Sequence, residues 1–315
     1  MGALSSAIKK FGARQLIADY WNSHTVLYMF RAVLLNGFNK TALEIVRNGQ
    51  EAKVMKRLFN QNKALVEKPL NAPIRVDESG NDNKTIWFLW YQGISNAPEI
   101  VKACYKSVLS NFPDHKVIVL DTHNLNAYIR LPDWIETKRK NGEITLTHYS
   151  DLVRTELLVK YGGIWIDSTV LLTDRIPDYW IKAERFYFQE LRPGNEGHAI
   201  KLSSWFLSTN EGDPVLFRVR ELLWKYWETH DVLIDYYLFH HFFQLVLDAH
   251  PEEIRKTPQY PSSIPHMLLF KLQLPYSKKE FEYITSLTPL HKLTYKTEST
   301  QEESTYYRYL LNKYL

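Results

Sequence analysis

Three short stretches of this 315-residue chain hold side chains that could do chemistry: Trp90 to Gly93, Asp121 to His123, and Asp167 to Thr169. Each closes an apolar, strand-like run, and in an open parallel sheet ligands bind beyond the carboxyl ends of the strands. In "YGGIWIDSTV", residues 161–170, a glycine turn leads into a short apolar run that ends on Asp167. A carboxylate there can offer oxygen to a hard cation, or it can be only a polar residue closing a strand. Just upstream, "SDLVR" sets Asp151 and Arg154 three residues apart, on one face of a helix. From spacing alone the favoured reading of that pair is an exposed ion pair. The competing reading is a clamp on a ligand, because a guanidinium fork suits phosphate oxygens. Asp235, in "LIDYYLFHHFF", opens a helical run whose next turns carry His240 and His241. It fits a helix N-cap as well as it fits a role toward a substrate. The sequence has no phosphate-binding glycine loop, Ser/His/Asp elbow or HExxH helix.

The elements that must position these residues follow from periodicity. "TIWFLWYQG" (85–93) and "HKVIVLD" (115–121) read as buried strands, with a helix over "APEIVKACYKSVLSNFP" (97–113) between them. Strand, helix and strand with short connections predict a right-handed parallel crossover and hence an α/β sheet. A helix is expected over 147–163, with Gly162 as its stop, followed by strands at 164–172, 185–190 and 203–209 and helices near 214–230 and 233–249. The remaining C-terminal residues form a mixed, polar tail. Residues 3–66 have helical periodicity and predict two or three helices, and "KPLNAPIRVDESGNDN" (68–83) reads as a linker. The expected division is a basic helical appendage and linker over 1–80 and a catalytic domain over 81–315.

A chain of this length can bury a large core, and 45% hydrophobic with 23% charged residues is a globular balance. A single cysteine, Cys104, excludes an intramolecular disulfide framework and a cysteine-cluster metal site, and fits a reducing compartment. Residues 1–70 carry eleven Lys and Arg against four acids, net +7, which leaves the rest of the chain at −3. The whole basic excess therefore sits at the N-terminus. It argues against nucleic-acid binding by the domain and suits an anionic membrane surface, or else a solvated helical appendage packed on the domain. No apolar run reaches the ~20 residues that cross a bilayer, since Arg31 interrupts "VLYMFRAVLLNGF", and no cleavable signal peptide is expected.

The run "HYSDLVRTELLVKYGGIWIDSTVLLTD" resembles the capsular polysaccharide synthesis glycosyltransferases, relatives of the sugar transferases with the pattern SDxxRxxxLxxYGGxYxDxD. The likeness extends over about residues 85 to 295 and leaves the first 80 outside. It implies a GT-A type fold, meaning a Rossmann-like, mixed but mainly parallel sheet flanked by helices. It also implies a nucleotide-sugar donor, of the UDP-sugar kind, and a divalent cation, Mn²⁺ or Mg²⁺. Donor contacts are implied at Trp90 and Gln92 after the first strand, at Ser150, Asp151 and Arg154 on the helix, and at Gly163. Trp90 matches the aromatic that stacks on the base, although its spacing from Phe88 suits core packing equally. Asp167 matches the first aspartate of the metal-binding pair, and Thr169 stands where many relatives have the second, so that it could act only through a metal-bound water. His291, ahead of "KLTYK", matches a late metal ligand. Asp167, Arg154 and Asp235 are the expected catalytic residues.

The function that the resemblance implies is a hexosyltransferase of capsule or surface-polysaccharide synthesis that retains the anomeric configuration. Its acceptor would be a lipid-linked saccharide. The protein would be cytoplasmic, peripheral on the inner face of the plasma membrane through its N-terminal segment. The rivals are a sugar nucleotidyltransferase and a non-catalytic saccharide-binding module.

Overall fold

The computed structural model describes residues 21–37, 39–71, 85–191, 194, 197–296 and 304–315. The helices expected before residue 21 and most of the 68–83 linker lie outside these residues. Helix α1, Val26–Asn36, is followed by α2, Lys40–Val66, whose first turn is capped by the Asn39 side chain accepting from the Ala42 amide. Strand β1, Thr85–Leu89, helix α3, Glu99–Asn111, and strand β2, Lys116–Leu120, form the expected parallel crossover, with Trp87 opposite Ile118.

Two short helices, Leu125–Tyr128 and α4, Asp133–Lys140, lead to α5, Leu146–Tyr161, and then to strands β3, Gly163–Ile166, and β4, Val170–Leu172. Strands β5, Arg185–Gln189, and β6, Leu202–Thr209, complete a five-stranded sheet of order β2-β1-β3-β6-β5. Only β6 runs against its neighbours; β2, β1, β3 and β5 point the same way, giving a mixed, mainly parallel sheet. Helices α6, Pro214–Thr229, α7, Leu238–Ala249, and α8, Lys278–Leu287, follow, and then strand β7, Leu290–Lys292, pairs antiparallel with β4. Helix α9, Tyr306–Tyr314, ends the chain.

Successive side chains of a strand face opposite sides, and each side of this sheet has its own core. Trp87, Trp165, Tyr187 and Leu207 pack on one side with Val54 and Leu58 of α2, Leu157 of α5, Leu222 of α6 and Phe242 of α7. Ile86, Phe88, Ile164, Ile166, Phe186 and Phe206 pack on the other with Val101 of α3, Leu171 of β4 and Leu310 of α9. Covered on both faces, β1 and β3 are almost continuously apolar, which is what made them legible.

Helix α2 belongs to the first core and is no loose appendage. Its Val46, Val54, Leu58 and Val66 are fully buried, and Arg218 of α6 donates to the carbonyl of Leu65 in its last turn and to those of Lys68 and Pro69 just beyond it. The α5–β3 junction depends on two glycines. Gly162 and Gly163 have φ of 62° and 93°, and a Cβ on either would lie 2.5 Å from a backbone atom, Glu211 N and Thr85 O respectively.

Candidate functional site

Helix α5 starts at Thr145, whose side chain caps the His148 amide, and runs through the core with both ionic residues of "SDLVR" inside it. Asp151 and Arg154 are 6% and 4% exposed, so the pair is not the surface contact that spacing alone favours. The reason is tertiary. The guanidinium lies between aromatic rings, 4.9 Å from the Trp165 centroid and 5.6 Å from that of Phe239 on α7. One nitrogen donates to Asp151 Oδ1 at 2.9 Å and the other to Asp167 Oδ1 at 3.0 Å. Arg154 Nε has no hydrogen-bond partner among the described residues.

Asp167 directly follows strand β3, where the chain turns on a hydrogen bond from the Val170 amide to the Asp167 carbonyl. That turn splits the single strand expected over 164–172 into β3 and β4 and thrusts the carboxylate beyond the sheet. Asp167 Oδ1 also accepts from the Trp165 indole at 2.9 Å. Asp167 Oδ2 accepts from the Lys292 ammonium at 2.9 Å, which donates as well to Thr169 Oγ1 at 2.7 Å. Burial alone would raise the Asp167 pKa, but Lys292 and then Arg154 outweigh it and hold the carboxyl below its ordinary range. The group stays ionised, and its side chain remains 26% exposed.

The same strand alternation decides the fate of His291. In β7 it sits opposite Leu171, while Lys292 sits opposite Val170, so the two neighbours face opposite ways. His291 is fully buried and Nε2 bonds the Thr173 hydroxyl at 3.0 Å, away from Asp167. Burial pushes its pKa down to about 3, so the ring is neutral. The ligand expected from residue 291 is therefore replaced at Asp167 by the ammonium of residue 292.

The residues present do not suit a divalent cation. Asp167 offers oxygens already engaged by Arg154, Trp165 and Lys292, and the Thr169 hydroxyl already accepts from the ammonium. Among the described residues no three His, Cys, Asp or Glu side chains come together to hold a metal ion. A cation on Asp167 Oδ2 would share that oxygen with the ammonium. At ~4 Å and an effective dielectric of ~20, each pair of unit charges repels by about 4 kcal/mol, and a dication doubles that.

The remaining expected positions divide. Trp90 follows β1 with its indole nitrogen unpartnered among the described residues, and its ring lies edge-on to Tyr295 at 5.4 Å. Gln92 is exposed in the adjoining turn, its carbonyl accepting from Asn96, and Ser150 is half-buried beside Asp151. Gly163 opens β3, at the opposite end from Asp167, and serves close packing against Thr85 instead of donor binding.

Asp235 is 4% exposed beneath α2. Its carboxylate accepts from Gln50 at 3.3 Å and from the Tyr237 amide at 2.8 Å, and lies 3.3 Å from His241 Nε2. With both oxygens engaged it holds a turn ahead of α7, whose first helical residue is Leu238. Helix α7 thus starts five residues later than expected. Asp121 likewise closes a local turn, accepting from the His123 and Asn124 amides.

Sequence reasoning missed Tyr236 and Lys292 and left His240 without a role. Tyr236 lies within electrostatic reach of Asp151, Asp167 and Tyr295, linking the Trp90 side of the site to the carboxylates; burial first, then these charges, pushes its phenol up. His240, on the first turn of α7, is pushed down to about 4 by burial, reinforced by Arg154 and His241, and so faces Asp151 and Asp167 as a neutral imidazole. Hydrophobic periodicity carried no signal for Tyr236, which lies in the turn ahead of α7, whereas His240 falls in the first turn of the helix itself.

Residues 38–310 match the family described as "Capsular polysaccharide synthesis protein". The match reaches back through α2, which the local resemblance had left outside. Among curated proteins, the chain is 29% identical over 164 residues to the O-glycosyltransferase braB of Annulohypoxylon truncatum, covering 46% of this chain and 38% of that one. It is 29% identical over 126 residues to the O-glycosyltransferase PaGT of Phomopsis amygdali, covering 36% and 30%. A third relative, the glycosyltransferase afumC of Aspergillus fumigatus, is 31% identical over 101 residues, covering 29% and 26%. The chain therefore spans well under half the length of these relatives. A solved structure titled PaToxG Glycosyltransferase aligns with 65% of this chain and 80% of its own at 14% identity and a TM-score of 0.36, too low to argue from.

Proposed function

The chain belongs to the capsular polysaccharide synthesis family, and from that premise we propose that it is a retaining hexosyltransferase using a nucleotide-sugar donor. The observation that carries the reading is the buried Asp151–Arg154–Asp167 chain of ion pairs at the carboxyl end of β3, joined from β7 by Lys292. Ordering two cations around one strand-end carboxylate suits a departing diphosphate, which develops negative charge as its bond to the sugar breaks. The three relatives are each named as glycosyltransferases, in agreement with this chemistry.

In the proposed pose the base lies against Trp90, the sugar and ribose hydroxyls approach Ser150, Tyr236 and His240, and the diphosphate approaches Arg154 and Lys292. Asp167 is bound on both oxygens and is a poor nucleophile. The reaction is therefore a front-face displacement. The anomeric carbon–oxygen bond to the phosphate breaks, the acceptor oxygen bonds the same face, and the acceptor's proton passes to the departing phosphate oxygen. A UDP-sugar is the donor class, and a lipid-linked surface saccharide at the cytoplasmic face of the membrane is the acceptor class. No described helix is long and apolar enough to cross a membrane, so attachment would be through the basic N-terminal segment and the exposed face of α1.

Donor hydrolysis tests the reading. Incubated with a panel of nucleotide sugars, the protein should release free sugar and nucleoside diphosphate from one of them. Trp90→Ala should weaken donor binding by ~1–3 kcal/mol while leaving the circular dichroism unchanged. A saccharide-binding module would release neither product, and unchanged donor affinity in the folded variant would remove Trp90 from the site.

A further inference from the structure

Lys292 occupies the place at Asp167 where a transferase of this kind would carry its metal. We propose that the Lys292 ammonium, together with the Arg154 guanidinium, replaces the divalent cation, so that the nucleoside diphosphate is bound and released without metal. The inference rests on the nucleotide-sugar reading and deepens it.

The ammonium is aimed, not merely nearby. Asp167 Oδ2 and Thr169 Oγ1 take two of its hydrogens, at 2.9 and 2.7 Å, which leaves the third to point at a ligand. Its side chain is 19% exposed and so not sealed in the core. The antiparallel pairing of β7 with β4 fixes its base at residue 170, three residues past the carboxylate. Thr169, the residue at the second aspartate position, now has a specific task. An aspartate there would set a second carboxylate on an ammonium already paired with Asp167 and turn the local charge negative, whereas a hydroxyl accepts its hydrogen without adding charge.

Arg154 is fixed in the same way. Two of its nitrogens are spent on Asp151 and Asp167, its guanidinium carbon lies 4.9 Å from the Trp165 ring centroid, and Nε has no partner among the described residues. Asp167 thus serves as a positioning residue that spaces two cations, one on each oxygen. A compact ammonium and a planar guanidinium are the two groups that bind phosphate oxygens, as a point charge and a fork respectively.

Isothermal titration of the whole chain with UDP, GDP and inorganic pyrophosphate, in EDTA and in Mn²⁺, tests the proposal. The expected result is nucleoside diphosphate binding whose affinity differs less than threefold between the two conditions. Lys292→Met should lose at least tenfold in EDTA and regain part of it in Mn²⁺, because Asp167 Oδ2 is then free to take the ion. Lys292→Arg should bind closer to wild type and stay insensitive to EDTA. Wild-type binding that appears only with Mn²⁺ would overturn the proposal and leave the nucleotide-sugar reading standing. Lys292→Met that melts like wild type and binds undiminished in EDTA would overturn it as well. No binding of any of the three probes under either condition would overturn both.

Discussion

His291 and Lys292 are neighbours in a three-residue strand, yet one is buried against Thr173 and the other meets Asp167. The sequence alone singled out the histidine, because imidazole is a familiar ligand, and passed over the lysine. Nothing short of the β4–β7 register could reverse that choice, since a strand shifted by one residue exchanges its two faces. The buried histidine has a measurable consequence. Its ordinary pKa of 6.5 applies in the unfolded chain, while the folded value is about 3. Between those values only the unfolded chain binds the proton, so stability is complete above pH 6.5 and falls by about 1.4 kcal/mol per pH unit below it. Urea unfolding of wild type and His291→Gln at pH 7.5, 6.0 and 5.0 should give curves that diverge by that slope. Parallel curves would mean that the imidazole titrates in the folded state. By contrast, Asp151, Arg154 and Asp167 were legible as a set from their linked motifs, although spacing could not tell that they lie in the core.

At the scale of elements, the strand–helix–strand opening was legible because its apolar runs are long, bounded by turn residues and buried on both faces. Two boundaries were not. The 164–172 run reads as one strand, but a hydrogen bond from Val170 to Asp167 breaks it, and the Asp235 turn delays α7 to Leu238. Both breaks are local turn chemistry at polar residues inside apolar runs, which hydrophobic periodicity does not register.

Helix α2 was read as part of an appendage, since its segment is basic, precedes the 68–83 linker and lies outside the resemblance. Tertiary packing shows otherwise. Val46, Val54, Leu58 and Val66 are buried, and burying each contributes ~1.5–3 kcal/mol, together comparable to the whole ~5–15 kcal/mol margin of a domain. Gln50 also holds the Asp235 turn from which Tyr236 projects. Removing residues 1–37 should therefore leave a cooperative thermal transition, whereas removing 1–70 should abolish it. A folded, donor-hydrolysing protein lacking residues 1–70 would show that α2 is dispensable after all.

Across the whole molecule, charge and apolar surface converge on one end. The net +7 of residues 1–70 lies on the same segment as α1, whose Leu27, Phe30, Leu34 and Leu35 are 63–83% exposed. These positions recur at three- and four-residue steps and form one face, with Arg31 among them, while Tyr28 and Ala32 form the other. Tyr28 seats that inner face on α2, donating to the Ile45 carbonyl beneath the Lys53 ammonium. The outer face therefore remains apolar, exposed and basic at once, the combination that lies in the interface of an anionic bilayer. Vesicles containing phosphatidylglycerol should bind the full chain, and those of phosphatidylcholine alone should bind it much less. Raising salt from about 0.05 to about 0.5 M, across the ~10 Å screening length reached at ~0.1 M, should weaken the anionic binding. Leu34→Glu with Leu35→Glu should abolish it while leaving donor hydrolysis intact, because both side chains point outward from α1, 73% and 83% exposed. Equal sedimentation with both vesicle types, or vesicle binding unaffected by the double substitution, would remove α1 from the membrane. A shift of the double variant to a smaller species on gel filtration, without any vesicle binding by wild type, would assign the same face to a second copy of the chain.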